Sequence, residues 1–540
     1  MNRKKRYLFS LLSGFLMVLS FPYSGSMPFI SFFSWVPLLI IENFLLNSNL
    51  RSKNIIIHAL IAFIIYNIGA SWWIWNADEL GAILAIFTNT ILMSFAFYIF
   101  HLTRKYIGQK QGLISLPFIW IGFEFVHFHW EISWPWLTLG NVFSVYPSWV
   151  QWYEYTGVLG GSLWVLIINL LLFQIVNSYI FNNQSFVKEK RRVITFIFVL
   201  LLPLSYSLYS YASYVESSNP VSVLLIQPNV DPYNEKFSGT SLNQLDEIID
   251  MAETNLNSNY RGMPSDVDFI IAPETAISKN LVEQNLTHDK HMQKINSWMK
   301  HHSNFHFLIG SFTVDFFDTI NSRASQEIPN SNQYIEYYNS SLGIENNKAT
   351  QIIHKSKLVP GVEQVPFGSW LQFLDEFSND NGGMSGSLGI ENEAKVISSM
   401  HGVYAPSICY ESIYGGFIAE QCRKGAEMIF VITNDGWWGN TAGHKQHFSF
   451  SRLRAIENRR SVARSANTGV TGIINQRGDV IKKTKWWSKD IIRGTINKND
   501  EVTFYTKYGN VIGRSFSFVS VLLFLYLFVS VFKKKIGIKQ

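Results

Sequence analysis

Residues 403–411 read Val403-Tyr404-Ala405-Pro406-Ser407-Ile408-Cys409-Tyr410-Glu411, a largely apolar run that ends on a cysteine. Two other segments are built the same way. Ile270-Ile271-Ala272-Pro273-Glu274-Thr275-Ala276 leads to a carboxylate, and Ile352-Ile353-His354-Lys355-Ser356-Lys357-Leu358-Val359-Pro360 leads to an amine. Each places a reactive group at the end of a predicted strand. A thiol attacks acyl groups well only as its thiolate, and a free cysteine is largely protonated at neutral pH. A neighbouring carboxylate can take that proton as general base. A fixed ammonium can then face the oxyanion of a tetrahedral intermediate, beside the backbone N–H that follows the nucleophile. Singly, each residue has a plain explanation: a packed core cysteine, a turn glutamate, a solvated lysine. The ordered triple carries the argument.

Around these segments, short apolar or β-branched runs recur at 221–227, 268–272, 306–311, 337–343, 350–354, 403–409, 427–433 and 471–475. Helical spacing occupies 241–257 and 287–302. Strands alternating with helices predict a layered α/β domain over residues 219–512. Residues 375–398 are rich in Gly, Ser and Asn and read as a mobile loop; 231–240 and 361–370 are further candidates for gating.

The flanks are of another kind. The chain has 540 residues, of which 16% are charged, well below the usual ~25% of soluble domains. Residues 212–514 hold 28 of the 45 Lys and Arg and 32 of the 39 Asp and Glu, a net of −4. The remaining apolar parts hold 17 basic and 7 acidic residues, a net of +10. That distribution excludes a nucleic-acid-binding face and points to a membrane. A bilayer needs about 20 apolar residues per helix. The spans predicted are 7–23, 29–47, 54–74, 83–103, 113–128, 161–179, 193–211 and 515–532, eight in all. Alternate connections carry the basic residues (Arg3 to Arg6, Arg51 and Lys53, Arg104 to Lys110, Lys188 to Arg192, Lys533 to Lys539), whereas 24–28, 75–82 and 129–160 contain none. The positive-inside rule therefore predicts cytoplasmic termini and a domain at 212–514 on the far side. A cleaved signal peptide is the alternative for residues 1–23, but no A-x-A-like site follows. Glu124 within a span should face other helices or a wet cavity. The Trp- and Tyr-rich segment 129–160 reads as an interfacial belt.

Only two cysteines are present, Cys409 and Cys422, which excludes a disulfide-stapled scaffold and a CxxC zinc site. Cys422 falls on a predicted helix and reads as a bystander. His301-His302 and His127 with His129 lack a Cys or carboxylate partner at ligand spacing, so no metal is expected. No Gly-rich phosphate loop is present, and no cofactor is expected.

The ordered Glu274, Lys355 and Cys409 resemble the Glu-Lys-Cys triad of the nitrilase (carbon–nitrogen hydrolase) superfamily. With the span pattern, the resemblance narrows to the apolipoprotein N-acyltransferase family and covers nearly the whole chain. It includes Phe21-Pro22, Trp136-Leu137 with Gly140, Gln227-Pro228-Asn229, Tyr338-Asn339-Ser340, Thr433-Asn434-Asp435-Gly436-Trp437-Trp438-Gly439, Gln446-His447-Phe448 and Asn467-Thr468-Gly469. The resemblance implies an α-β-β-α sandwich, residues 219–512, set between a membrane domain of seven transmembrane helices, residues 1–211, and a last one at 515–532. It implies Glu274 as general base, Lys355 as oxyanion stabiliser and Cys409 as nucleophile. Glu363, Tyr410, Glu411, Asn339, Phe237 and Trp437 would support them or bind substrate. Two departures stand out. The family word LVPFGE appears as Leu358-Val359-Pro360-Gly361-Val362-Glu363, with the glutamate still eight residues after Lys355, and a family tryptophan appears as Phe237. The implied reaction is ping-pong: Cys409 takes a fatty acyl group from a membrane phospholipid and passes it to the N-terminal α-amine of a diacylglyceryl-apolipoprotein. The implied setting is a monomer in the bacterial cytoplasmic membrane, with the catalytic domain on its outer face. The alternatives are a membrane-tethered amidase, in which water resolves the acyl-enzyme, and a binding protein with an inactive nitrilase fold.

Overall fold

The computed structural model describes residues 1–48, 50–182, 186–236, 239–256, 266–302, 305–366 and 387–535. The chain divides into two compact units, Met1–Ser213 with Asn510–Gln540, and Tyr214–Gly509.

The first unit is helical: α1 (Arg3–Ser20), α2 (Val36–Leu46), α3 (Asn54–Ser71), α4 (Glu79–Tyr106), α5 (Ser115–Val126), a short α6 (Tyr153–Thr156), α7 (Val158–Asn182) and α8 (Phe186–Ser213). Among the described residues, six segments are long and apolar enough to cross a bilayer: Pro28–Leu46, Asn54–Asn76, Glu79–Tyr106, Val158–Tyr179, Glu189–Ser213 and Val511–Lys534. Expected span 113–128 falls on α5, which has only 12 residues. Expected span 7–23 falls on α1, whose first turn holds Arg3, Lys4, Lys5 and Arg6. Polar groups inside the unit are turned towards protein, where their cost is lowest. Glu124 is buried, and its Oε1 accepts from Trp120 Nε1 (3.1 Å) and the Leu139 N–H (2.8 Å). Glu42 on α2 is likewise buried against Arg104 and His101 of α4. The aromatic segment 129–160 folds as three 3₁₀ turns, Pro135–Leu137, Leu139–Val145 and Pro147–Trp149, with Trp134 and Trp136 stacked at 5.6 Å.

The second unit holds two sheets. The first runs β14-β1-β2-β4-β6-β5, with β3 added on β4 and β7 on β6. Its strands are β1 (Pro220–Gln227), β2 (Phe269–Ile271), β3 (Ile277–Val282), β4 (His306–Phe317), β5 (Gln326–Glu327), β6 (Tyr334–Ile344), β7 (Gln351–His354) and β14 (Asp490–Asn497). The second runs β13-β12-β11-β10-β9-β8: β8 (Ile397–Ser399), β9 (Gly402–Ile408), β10 (Met428–Thr433), β11 (Val462–Ala466), β12 (Gly472–Ile474) and β13 (Val480–Lys483). Strand alternation explains the layering. On β1, Val223 and Leu225 enter the core between the sheets with Phe269, Tyr404 and Phe430. Leu224 and Ile226 point the other way, onto α9 (Ser241–Leu256) and α10 (Lys290–Met299). The second sheet is covered in turn by α11 (Gly415–Arg423) and α12 (Ala442–Asn458), through Ile429, Val431, Ile418 and Phe448. The result is the α-β-β-α layering. A short α13 (Phe504–Tyr508) closes the unit, and α14 (Val511–Lys535) returns to the helical one.

The expected strands are all present, but six were not foreseen. β11 is fully buried yet carries Arg464 and Ser465, which break an apolar run. The edge strand β13 is mostly exposed and reads as polar. α12 is buried on nearly every face and polar in composition, so it has no amphipathic signal. The expected helix 287–302 is shorter because Asp289 caps α10, its carboxylate accepting from the His291 N–H at 2.7 Å. Of the loop read over 375–398, residues 375–386 lie outside the described residues, and its end enters β8.

Phe269 sits at the centre of the inter-sheet core, edge-on to Phe430, Tyr404 and His306 at 5.0–5.9 Å. Truncating a buried phenylalanine costs about 3–5 kcal/mol. Phe269→Ala is therefore expected to lower the stability of the second unit by that amount, read by pulse proteolysis of the detergent-solubilised protein in urea.

Candidate active site

Three strand ends assemble the site. β2 and β4 pair in parallel, and the pairing continues past β2 through Ala272 N–H to Leu308 O (2.8 Å) and Gly310 N–H to Pro273 O (3.1 Å). This carries Glu274 directly over Gly310. A Cβ at Gly310 would lie 2.6 Å from Thr275 N and 2.7 Å from Glu274 Cα, so only glycine permits the approach. Thr275 takes the left-handed conformation, φ +45°. Lys355 follows β7, with its N–H donating to Asn339 O on β6 at 2.8 Å. Cys409 follows β9 with φ +50°, a strained conformation for a non-glycine residue. Its carbonyl accepts from Ser412 Oγ at 2.8 Å and lies 3.1 Å from His447 Nε2, which fixes the turn.

The side chains converge. Lys355 Nζ donates to Glu363 Oε1 at 2.8 Å and to Glu274 Oε1 at 3.3 Å. Asn339 Nδ2 bridges the same two carboxylates, at 2.8 Å from Glu274 and 3.2 Å from Glu363. The second oxygen of Glu274 accepts the Asn434 N–H at 3.0 Å, and that of Glu363 accepts the Val359 N–H at 2.8 Å. Lys355 is 1% exposed and Glu274 6%. Burial alone would lower the lysine pKa, but the Glu363 and Glu274 charges outweigh it and hold the ammonium well above the ordinary lysine range. Burial, then the Glu274 charge, push the Cys409 thiol far above its ordinary value, with Lys355 only partly offsetting them. The resting thiol is thus neutral, and forming its thiolate requires a base in contact with it.

Glu411 ties the nucleophile turn to the lysine loop. Its Oε2 accepts the Ile408 N–H at 2.8 Å, and its Oε1 the Ser356 N–H at 2.5 Å and the Lys357 N–H at 3.4 Å. Burial lifts its pKa to about 7 against those hydrogen bonds. Tyr410 is buried edge-on to Tyr414 at 5.4 Å. Trp437 lies on the turn Asp435–Trp438, edge-on to Tyr233, whose hydroxyl donates to Trp437 O at 2.7 Å. Phe237 lies outside the described residues. Cys422 is packed in the apolar layer between the second sheet and its helices.

Sequence reasoning missed the group beside Cys409. Asp435 is buried and accepts from Arg464 NH2 (2.6 Å) and Thr433 Oγ1 (2.8 Å), and lies 2.8 Å from His447 Nδ1. The Cys409 sulfur and one donor atom each of Asp435 and His447 lie within 4.8 Å of one another, a metal-like set among the described residues. Its histidine and carboxylate atoms are already engaged by Arg464, Thr433 and the Cys409 turn. The words Thr433-Asn434-Asp435 and Gln446-His447 were visible, but nothing in their spacing pairs them. Lys236, buried beside Glu274, was also missed because it reads as one more loop lysine.

Residues 13–171 match the apolipoprotein N-acyltransferase N-terminal domain family, and residues 264–503 match the carbon-nitrogen hydrolase family. The chain is 30% identical to the apolipoprotein N-acyltransferase of Chlorobaculum tepidum, over 94% of each chain. It is 25% identical to that of Geobacter metallireducens, over 94% of this chain and 92% of that one. Among solved structures, an amidase from Nesterenkonia sp. covers 56% of this chain and 99% of its own at 12% identity, with a TM-score of 0.36.

Because backbone, and no flexible side chain, surrounds the missing Cβ, Gly310→Ala must displace Glu274. Misplacement of a reacting group by ~1 Å can cost ~10²-fold. The variant is expected to fold and to acylate Cys409 about 10²-fold more slowly with an activated ester, read by stopped-flow release of the leaving group.

Proposed function

The chain belongs to the apolipoprotein N-acyltransferase family, and from that premise we propose that it moves a fatty acyl group from a membrane phospholipid, through a thioester on Cys409, to the α-amine of an S-diacylglyceryl cysteine at a lipoprotein N-terminus. In the first half-reaction Glu274 takes the thiol proton as sulfur attacks the ester carbonyl. The oxyanion faces the Lys355 ammonium and the Tyr410 backbone N–H. Collapse expels the lysophospholipid alkoxide, which recovers the proton from Glu274. In the second, the acceptor amine attacks the thioester and gives its proton to Glu274. The amide leaves, and the thiolate is reprotonated.

The observation that carries this reading is the Lys355 ammonium clamped between Glu274 and Glu363. It supports a division of labour between the two carboxylates. Glu363, spending its second oxygen on the Val359 N–H, orients the lysine and holds its loop. Glu274 keeps the base role. Asn339 locks both, Glu411 and Tyr410 shape the nucleophile turn, and Trp437 offers aromatic cover for the acyl chain.

The membrane arrangement belongs to the same proposal. Eight spans, seven of them in residues 1–211 and the last at 515–532, hold residues 219–512 on the outer face of the bacterial cytoplasmic membrane, with both termini inside. The positive-inside distribution supports that orientation. Both lipid substrates are then confined to one leaflet, and positioning replaces search. A monomer suffices, since one chain supplies the whole set of groups.

Two outcomes are expected. Incubation with a defined phospholipid should add the mass of one acyl chain to the intact protein, and should not do so in Cys409→Ala or Glu274→Gln. Addition of a small amide-derived acyl group would instead favour an amidase. Glu363→Ala should retain its fold and form thioester slowly, or form it and fail to pass it on. Single-turnover acylation and overall transfer to a diacylglyceryl peptide, measured separately, separate these steps, and wild-type rates in both would remove Glu363 from the machinery.

A further inference from the structure

A second buried lysine stands at the Glu274 turn. Lys236 closes the turn at residues 231–236, its N–H donating to Asp231 O at 2.9 Å. Its carbonyl accepts from Gln244 Nε2 of α9 at 3.1 Å, and Gln244 Oε1 accepts from Ser278 Oγ of β3 at 3.2 Å. The backbone is thus pinned from two elements while the side chain runs inward. Lys236 is 3% exposed, and its ammonium donates to Thr275 Oγ1 and to Glu274 O at 3.5 Å. Two carboxylates, Glu274 and Glu363, face only one ammonium in Lys355. Lys236 supplies the second positive charge, and burying an ammonium without anions in reach would cost several kcal/mol.

We propose that Lys236 is a positioning residue for the acyl-transfer reaction, whose charged ammonium holds the Glu274–Thr275 turn and thereby the base. The inference rests on the reading of Glu274 as that base. Three observations meet here. Thr275 is β-branched yet left-handed, a conformation that needs an external restraint. Lys236 donates to its hydroxyl and to the preceding carbonyl at once, and Gly310 packs closely against the backbone of the same turn.

The environment makes the charge labile near neutral pH. Burial, only partly opposed by Glu274 and Cys409, lowers the Lys236 pKa to about 8. These two are the titratable groups acting on it from the β2 end and the nucleophile turn. On its own turn, the Asp231 carboxylate accepts from the Tyr233 N–H and Asn234 Nδ2, and Glu235 accepts from the Asp231 N–H. Among the described residues, α9 and the loop after β11 line the space beside it with the uncharged Gln244, Ile248 and Asn467. The ammonium is present below about pH 8 and is lost as pH rises through it.

The test is single-turnover acylation of the full-length protein in nanodiscs by dipalmitoyl-phosphatidylglycerol, whose headgroup carries no amine, followed by intact mass from pH 6 to 10. The wild-type rate should fall as pH rises through about 8. Lys236→Met should be about 10²-fold slower at pH 7 and lack that inflection. Lys236→Arg, charged throughout, should recover rate and stay flat past pH 9. A wild-type profile flat from pH 7 to 9, or Lys236→Met at the wild-type rate, would overturn the proposal; the wild-type profile decides even if a variant misfolds. Absence of any thioester in wild type would instead overturn the acyl-transfer reading itself.

Discussion

Everything in the catalytic unit is arranged around one buried cation. Lys355 is 1% exposed and could not stay charged there without Glu274 and Glu363 at 3.3 and 2.8 Å. That requirement constrains the rest. The two carboxylates come from different segments, one past β2 and one on the loop after β7, so the charge stays paired only if the first sheet is in register. Asn339 checks the register directly, because β6 must align with both to bridge them. Removing Lys355 would strip both buried carboxylates of their shared cation, and truncation of a partner in such pairs costs about 3–5 kcal/mol.

The Cys409 turn depends on a second polar frame. Cys409 sits at φ +50°, and the strain is held by hydrogen bonds to its carbonyl from a buried network of Ser412, His447, Asp435 and Arg464. Arg464 and His447 lie on β11 and α12, so the second sheet and its covering helix hold the Cys409 turn as the first sheet holds Glu274 and Lys355. The inter-sheet core of Val223, Phe269, Tyr404 and Phe430 then sets the distance between the two halves of the site. Apolar packing and catalytic geometry are therefore coupled through β2, which supplies both Phe269 and the approach to Glu274.

What could be read from the chain follows the same physics. Glu274, Lys355 and Cys409 were legible because each ends an apolar run, and an apolar run is a local signal. β11 and α12 were not, since their buried polar residues are satisfied by partners far away in sequence, as Arg464 is by Asp435, twenty-nine residues earlier. Lys236 was illegible for a related reason: whether a loop lysine is solvated or buried is decided by Thr275 and Gln244, which lie on other elements. Among the described residues, six of the eight expected spans coincide with helices long and apolar enough to cross a bilayer, whereas 7–23 and 113–128 do not. Composition located the helices of the helical unit better than it set their lengths: α5 ends after 12 residues, where His127 begins the aromatic turns.

A triad of this kind is shared by enzymes that hydrolyse, so what matters for transfer is how the thioester survives. Glu274, Lys355 and Cys409 are all at least nine-tenths buried, which leaves water little access to the acyl carbon while the base is poised. An amine is a far better nucleophile than water towards a thioester, but only when neutral, and an α-amine has an ordinary pKa of about 7.7–8.0. With Glu274 and Glu363 already matched by Lys355 and Lys236, the buried site offers a third ammonium no unpaired anion, and burial favours the neutral amine. The charge balance that stabilises the resting carboxylates would then also select the reactive form of the acceptor, so one electrostatic arrangement serves both half-reactions.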